Sequence, residues 1–202
     1  MSTILNIRST NGGGKSTAVR MLMEYLVAQG SKRTPFQIDG KLAGYRFRRP
    51  GGTDVLVLGK YATACGGLDA SFSYPGAADD VTFFLDELAT HGHVVAEGVV
   101  AMGSYGIGRL QKFAEEQRAK GNRVIFALMD TPLALCIERC EKRRAEKAAA
   151  KGKEPKPLNP ENLKSKWESN HKDLAKLKAL GLDTRLIPYL DPLPSLLSWL
   201  GL

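Results

Sequence analysis

Residues 9 to 17 read Ser-Thr-Asn-Gly-Gly-Gly-Lys-Ser-Thr, types and an order suited to handling phosphate. Successive glycines let backbone N–H groups curl around an anion, and an amine and a hydroxyl follow at once. Lys15 can reach the β- and γ-phosphates of a nucleoside triphosphate and the Ser16 hydroxyl can ligate Mg²⁺. Asn11, Gly12, Gly13, Gly14 and Thr17 complete the phosphate cradle. The flanks agree: the apolar run Ile4, Leu5, Ile7 precedes, and a helical pattern from Ser16 to Gln29 follows, with Val19, Leu22, Met23, Leu26 and Val27 on one face. A helix beginning at this point adds unpaired N–H donors and partial positive charge. One position departs from the motif, since Ser9 stands where a first glycine belongs. Serine can make that turn if its φ stays negative, with Gly12 and Gly13 supplying slack. An ordinary Gly-rich turn before a helix is the alternative, but position, spacing and flanks favour a phosphate-binding loop.

Further chemistry belongs at the ends of other strands, because ligands of open α/β sheets collect beyond the strands' carboxyl ends. Glu97 closes the apolar run Val94–Ala96, where a carboxylate can hold Mg²⁺, through water or beside Ser16, or orient a nucleophile; a helix-capping or salt-bridging acid is the plainer reading. The run Val55–Leu58 leads into Gly59, Lys60, Tyr61, then Gly66, Gly67 and Asp69. Asp69 can accept the proton of an attacking hydroxyl, or simply serve as a turn residue after two glycines. Lys60 and Tyr61 can meet a substrate phosphate and a base, although exposed Lys-Tyr pairs are common. Tyr61, Phe72 and Tyr74 are the aromatics of this candidate acceptor loop. The strand Arg123–Met129 ends in Asp130-Thr131-Pro132, with Thr131 a natural cap for the helix that runs on towards Ala150. Arg139 and Arg143 on it are four apart and share a face, so two guanidiniums can neutralise charge building in phosphoryl transfer. A solvated face interleaved with Glu138, Glu141 and Lys142 is the competing reading. His91, His93 and His171 lack the company of further metal ligands and carry no assigned role.

The elements that must position these groups alternate. After the first strand and helix come Thr34–Ile38 and Ala43–Phe47, a hairpin about Asp39-Gly40. Helical patterns cover Asp80–Thr90, Ile107–Lys120, Glu161–Leu180 and Leu193–Leu200, with a last strand at Thr184–Ile187. Strands alternating with helices imply an α/β fold with three layers: a mostly parallel central sheet and helices on both faces, as in P-loop NTPases. The hairpin at about 34–48 is an insertion, and a lysine-rich stretch at about 144–166, broken by KGKEPKPLNP, forms a basic lid or a surface that tracks nucleic-acid phosphates.

One domain accounts for residues 1–202, and an apolar share of 43% suffices for its core. No apolar run approaches the roughly 18 residues of a membrane span, and no signal peptide is evident. Cys65, Cys136 and Cys140 are odd in number without metal-like spacing; Cys136 and Cys140 share a helix face, which fits packing, and the set suits a reducing cytoplasm. A net charge of +8 makes a polyanionic partner plausible, though a lid gripping triphosphate is basic too.

The arrangement resembles the P-loop kinases of nucleosides, nucleotides and related small molecules over nearly the whole chain: phosphate loop, Glu-Gly after a middle strand, Asp-Thr-Pro leading into an Arg-x-x-x-Arg helix, then a lid. The resemblance implies ATP and Mg²⁺ as cofactors, an alcohol acceptor, adenine stacking by an arginine at the start of the lid, and phosphate contacts from other arginines, roles that fall on Arg139 and Arg143. More narrowly, ILNIRSTNGGGKSTAVR, VLGKYATACGGLD and VVAEGVV resemble bacteriophage 5-hydroxymethyluracil DNA kinases. That family phosphorylates the hydroxymethyl group of a modified pyrimidine within DNA, which implies a DNA partner and a flipped or single-stranded base. A kinase of a free metabolite and a P-loop ATPase or DNA-binding protein are the rivals.

Overall fold

A computed structural model describes residues 1–38, 41–61, 85–98 and 106–202. The strands are β1 (Thr3–Arg8), β2 (Lys32–Ile38), β3 (Lys41–Arg48), β4 (Val55–Leu58), β5 (His93–Glu97), β6 (Arg123–Asp130) and β7 (Thr184–Pro188). The helices are α1 (Lys15–Ala28), α2 (Ile107–Ala119), α3 (Leu133–Ala149), α4 (Pro160–Ala179) and α5 (Leu193–Leu200). Residues 85–89 are also helical. The strands form one sheet in the order β2-β3-β4-β5-β1-β6-β7. From β4 to β7 every pairing is parallel; β2 with β3, and β3 with β4, are antiparallel.

The apolar strand runs are continuous because both faces are covered. On one face Ile4, Leu58, Val94, Ala96 and Phe126 pack with Leu110 and Phe113 of α2 and Leu177 of α4. On the other, Leu5, Ile7, Val57, Val95 and Ile125 pack with Val19, Leu22 and Leu26 of α1 and Leu196 and Leu200 of α5. Each Leu or Ile sealed in this way contributes about 1.5–3 kcal/mol. The expected three-layer P-loop architecture is therefore the one observed, with β1 in the middle of the five parallel-paired strands.

The hairpin occupies the sheet's edge, with Lys32 opposite Arg48 and a register shift between Phe36 and Gln37. Pro35 is tolerated there because an edge strand has N–H groups the ladder does not need. Lys32 and Arg33 discourage a further strand from adding. Gly44 is obligatory for a different reason: a Cβ at that position would lie 2.2 Å from the Val57 carbonyl oxygen. The expected turn residues Asp39 and Gly40 lie outside the described residues. In the region expected to be a lid, the structure has the end of α3, a connection over residues 150–159 and the start of α4, capped by the Asn159 side chain on the Asn162 N–H at 3.0 Å. Among the described residues no helix is long and apolar enough to cross a membrane.

His93 joins the start of β5 to β1. Its Nδ1 accepts the Thr3 backbone N–H at 3.0 Å. Burial, and then the positive charge of Arg49, hold its pKa below 6.5. The unfolded chain therefore binds this proton more readily than the folded one, so the contribution is complete above about pH 6.5 and is lost as pH falls below it. Urea unfolding is expected to give a lower stability at about pH 5.5 than at about pH 7.5, with a smaller fall in His93→Gln, whose amide oxygen can still accept the Thr3 N–H.

Candidate active site

The phosphate loop is built by three glycines with two different duties. Gly12 and Gly14 have φ of 81° and 88°, which glycine adopts without cost. Gly12 is also pressed against the start of α3, where a Cβ would lie 2.4 Å from the Cys136 carbonyl oxygen. Gly13 makes room for the residue that departs from the motif, because a Cβ there would lie 1.7 Å from Ser9 Oγ. Ser9 keeps out of the positive-φ region, as the turn requires, and its side chain occupies the space that Gly13 leaves.

Lys15 opens α1 and donates from Nζ to the carbonyls of Ser9 at 2.8 Å and Thr10 at 3.3 Å. Ser16 donates from Oγ to Glu97 Oε1 at 2.7 Å, a contact between residues 81 apart. Parallel pairing of β1 with β5 sets Ile7 against Glu97 and brings the carboxylate to the loop. Glu97 is 2% exposed, so its carboxylate lies out of bulk water beside the hydroxyl. The two are hard oxygen donors, the chemistry Mg²⁺ takes from protein when phosphate supplies further ligands.

A cavity of about 700 Å³ opens in front of the loop, with Lys15, Ser16, Glu97, Arg139, Arg143 and Tyr189 among its walls. The two arginines thus face the loop from α3, as their spacing suggests. Arg139 Nη1 donates to the Gly12 carbonyl at 3.3 Å, and Arg143 Nη2 touches Cys140 Sγ at 3.5 Å. Arg144 turns away and donates to the carbonyls of Lys156 and Pro157. Thr131 needs correction: Pro132 is the N-cap of α3, with no side-chain cap, and the buried Thr131 hydroxyl donates to the Gly13 carbonyl at 2.8 Å. Its value lies in tying strand end to phosphate loop, a long-range contact that outcompetes local capping. Cys136 and Cys140 are free, buried thiols that pack with Leu163.

The Lys60-Tyr61 pair divides. Lys60 is exposed, and its carbonyl accepts the Tyr45 hydroxyl at 3.0 Å. Tyr61 is 7% exposed and packs into the apolar layer beneath α1, so its ring is no open platform for a base. It has φ 43°, the positive region that non-glycine residues rarely enter, and its hydroxyl is buried without a hydrogen-bond partner. Burial first, then the charge of Glu97, push the phenol well above 10, and Arg20 offsets part of this. Gly66, Gly67, Asp69, Phe72, Tyr74 and Cys65 lie outside the described residues. Tyr189 and Leu190, which follow β7 and line the cavity, are additions to the expected set. The strand-end rule applied to the last strand would have found them.

No family model matches the chain. The chain is 29% identical over 179 residues to a protein of Pseudomonas phage PaMx11 named 5-hmdU DNA kinase, covering 89% of this chain and 87% of that one. It is 26% identical over 181 residues to a protein of Bacillus phage SP10 with the same name; there the match covers 89% of this chain but only 26% of the relative. Among solved structures, a chain from the PezAT chromosomal toxin-antitoxin system of Streptococcus pneumoniae superposes with a TM-score of 0.55 at 13% identity, over 93% of this chain and 68% of that one, a likeness of fold alone. The phosphate loop and the sheet order give the chain a three-layer α/β fold with a P-loop, and its sequence is similar to those of two bacteriophage proteins named 5-hmdU DNA kinase.

Proposed function

We propose that the chain is a Mg²⁺-dependent kinase that transfers the γ-phosphoryl group of ATP to the hydroxymethyl group of 5-hydroxymethyluracil in DNA. The observation that carries the phosphoryl-transfer part is the Ser16–Glu97 contact of 2.7 Å beside Lys15, facing Arg139 and Arg143 across one cavity. The DNA part is supported by the names of the two phage relatives and by the net charge of +8. For a phage-encoded protein, that substrate places the reaction in the host cytoplasm.

The loop backbone from Asn11 to Gly14 and Lys15 hold the β- and γ-phosphates. Ser16 and Glu97 hold the metal ion, which when bound supplies positive charge to the phosphate oxygens. Lys15, Arg139 and Arg143 neutralise the charge that develops as the phosphoryl group passes to the acceptor oxygen. Arg139, at the loop's mouth, is also placed to cover the nucleotide. The acceptor hydroxyl loses its proton to a carboxylate, Asp69 or Glu97. A duplex acceptor has to expose its base, at an unstacking cost of a few kcal/mol that a single strand avoids.

The deciding experiment follows label from γ-labelled ATP, with Mg²⁺, into DNA containing 5-hydroxymethyluracil, alongside unmodified DNA and free nucleosides and nucleotides. Label on the modified DNA, well in excess of that on any free nucleoside or nucleotide, is the expected result. Label on a free compound with none on the DNA would make the chain a metabolite kinase, and released phosphate alone would make it an ATPase. With DNA as substrate, binding should weaken steeply with salt, with log K falling by about 0.7–0.9 per phosphate contact for each unit of log salt. Affinity that is flat between low and moderate salt would count against a polymeric acceptor.

A further inference from the structure

Polar side chains inside a sheet are normally paired, because a buried donor or acceptor without a partner has given up its hydration for nothing. One face of β1 breaks this pattern. Side chains of alternate residues share a face. Ile4 joins the apolar layer under α2 and α4, while Leu5 and Ile7 join the layer under α1. Asn6 and Arg8 therefore share the face of Ile4, away from α1. Asn6 is fully buried, and neither its amide oxygen nor its nitrogen makes a hydrogen bond. Arg8 is 1% exposed, and its Nε and Nη1 are likewise unpartnered. Its Nη2 reaches Asp173 Oδ2 of α4 at 3.5 Å. Thr10, just past the strand, has a buried hydroxyl without a partner and is also a wall of the phosphate-loop cavity.

Thr10 thus borders the cavity, while the guanidinium with spare donors and the amide lie buried behind it on the same strand. Asp173 compensates the cation poorly. The contact is long for an ion pair, and burial draws the Arg8 pKa below its usual value despite the carboxylate. The Asp173 side chain is 25% exposed, so this end of the column reaches solvent. A phosphate oxygen at about 2.8 Å would satisfy Arg8 better than a carboxylate at the limit of reach. The donor nucleotide is already served by the loop backbone, Lys15 and the α3 arginines, so an anion on the far face of β1 belongs to the second substrate.

Resting on the DNA kinase reading, we propose that Arg8, flanked by Asn6 and Thr10, is an acceptor-side anion site that binds a phosphate oxygen of the nucleotide to be phosphorylated. That phosphate is either a diester of the DNA strand or the phosphate of a free nucleotide. Asp173 acts as its placeholder.

The test compares wild type, Arg8→Met and Asp173→Asn. Three acceptors are used: an oligonucleotide with one 5-hydroxymethyluracil, the free nucleoside, and its 5′-monophosphate. Arg8→Met keeps the volume and removes the buried charge, a change that often leaves stability unaltered or raised. The KM for phosphate-bearing acceptors should rise about tenfold or more, while the KM for the nucleoside and for ATP stays within about threefold. Oligonucleotide binding without ATP, read by fluorescence anisotropy, should weaken in parallel. Asp173→Asn should lower the same acceptor KM. A loss confined to the oligonucleotide identifies the DNA diester, and a loss shared with the monophosphate identifies a nucleotide phosphate in general. Equal losses for nucleoside and oligonucleotide, or wild-type behaviour in both variants, would overturn the site. So would unfolding of Arg8→Met accompanied by matching destabilisation in Asp173→Asn, since the pair would then be structural. Absence of transfer by the wild type to all three acceptors is a different result and would sink the kinase reading instead.

Discussion

Lys15→Ala is expected to lower phosphoryl transfer by about 10³-fold, the largest effect of any single side chain in the site. The amine is the one cation at the first turn of α1, at the floor of the cavity, where the transferring phosphoryl's charge has to be met. It also braces the loop through the carbonyls of Ser9 and Thr10, so the variant loses two hydrogen bonds as well as a charge. Those bonds are partly buried and contribute about 0.5–1.5 kcal/mol each. A small drop in melting temperature is therefore expected, with the cooperative unfolding transition retained. Single-turnover transfer and thermal unfolding on the same preparation separate the two effects. A folded Lys15→Ala protein with full activity would remove the phosphate-loop assignment.

Glu97→Gln is expected to cost about 10²-fold or more in rate and to raise the Mg²⁺ concentration needed for half-maximal activity. The amide keeps the shape and can still accept the Ser16 hydroxyl, but it removes the negative charge that makes the pair a metal site. Titrating Mg²⁺ in wild type, Glu97→Gln and Asp69→Asn divides the two proposed carboxylate roles. A shifted Mg²⁺ requirement should belong to Glu97, and a rate loss of order 10² without such a shift to Asp69. An unchanged rate and Mg²⁺ requirement in Glu97→Gln would move metal binding elsewhere.

What the sequence discloses about this site follows the range of the interactions involved. The phosphate loop is legible because its motif is contiguous and its flanks switch from strand to helix within a few residues. Even the departure at Ser9 is explained by a neighbour four residues away, Gly13. Glu97 is legible as a strand-end acid, but its meeting with Ser16 depends on β5 lying beside β1, which no local pattern encodes. Thr131 misleads because a threonine before a helix is ordinarily a cap, whereas here a buried carbonyl of the loop claims the hydroxyl. Tyr61 misleads because aromatic residues at strand ends suit substrates and cores alike, and packing under α1 decides between them. Arg8 looks like a solvent-facing strand end, since lone arginines are seldom buried. Only the arrival of α4 over β1 encloses it.

The contacts around Thr131 also bear on where the molecule can bend. The start of α3 is fastened to the phosphate loop three times, by the Gly12–Cys136 approach, the Thr131–Gly13 bond and the Arg139–Gly12 bond. The body of α4 is fastened to the same region, by Trp167 Nε1 donating to the Thr131 carbonyl at 3.0 Å. Neither helix can then swing as a whole without dragging the phosphate loop with it. Any hinge in this half of the protein is pushed out to residues 150–159, where Arg144 holds the backbone by two carbonyls. The loop, α3 and α4 are thus braced as one block, and bending falls to the connection between the two helices.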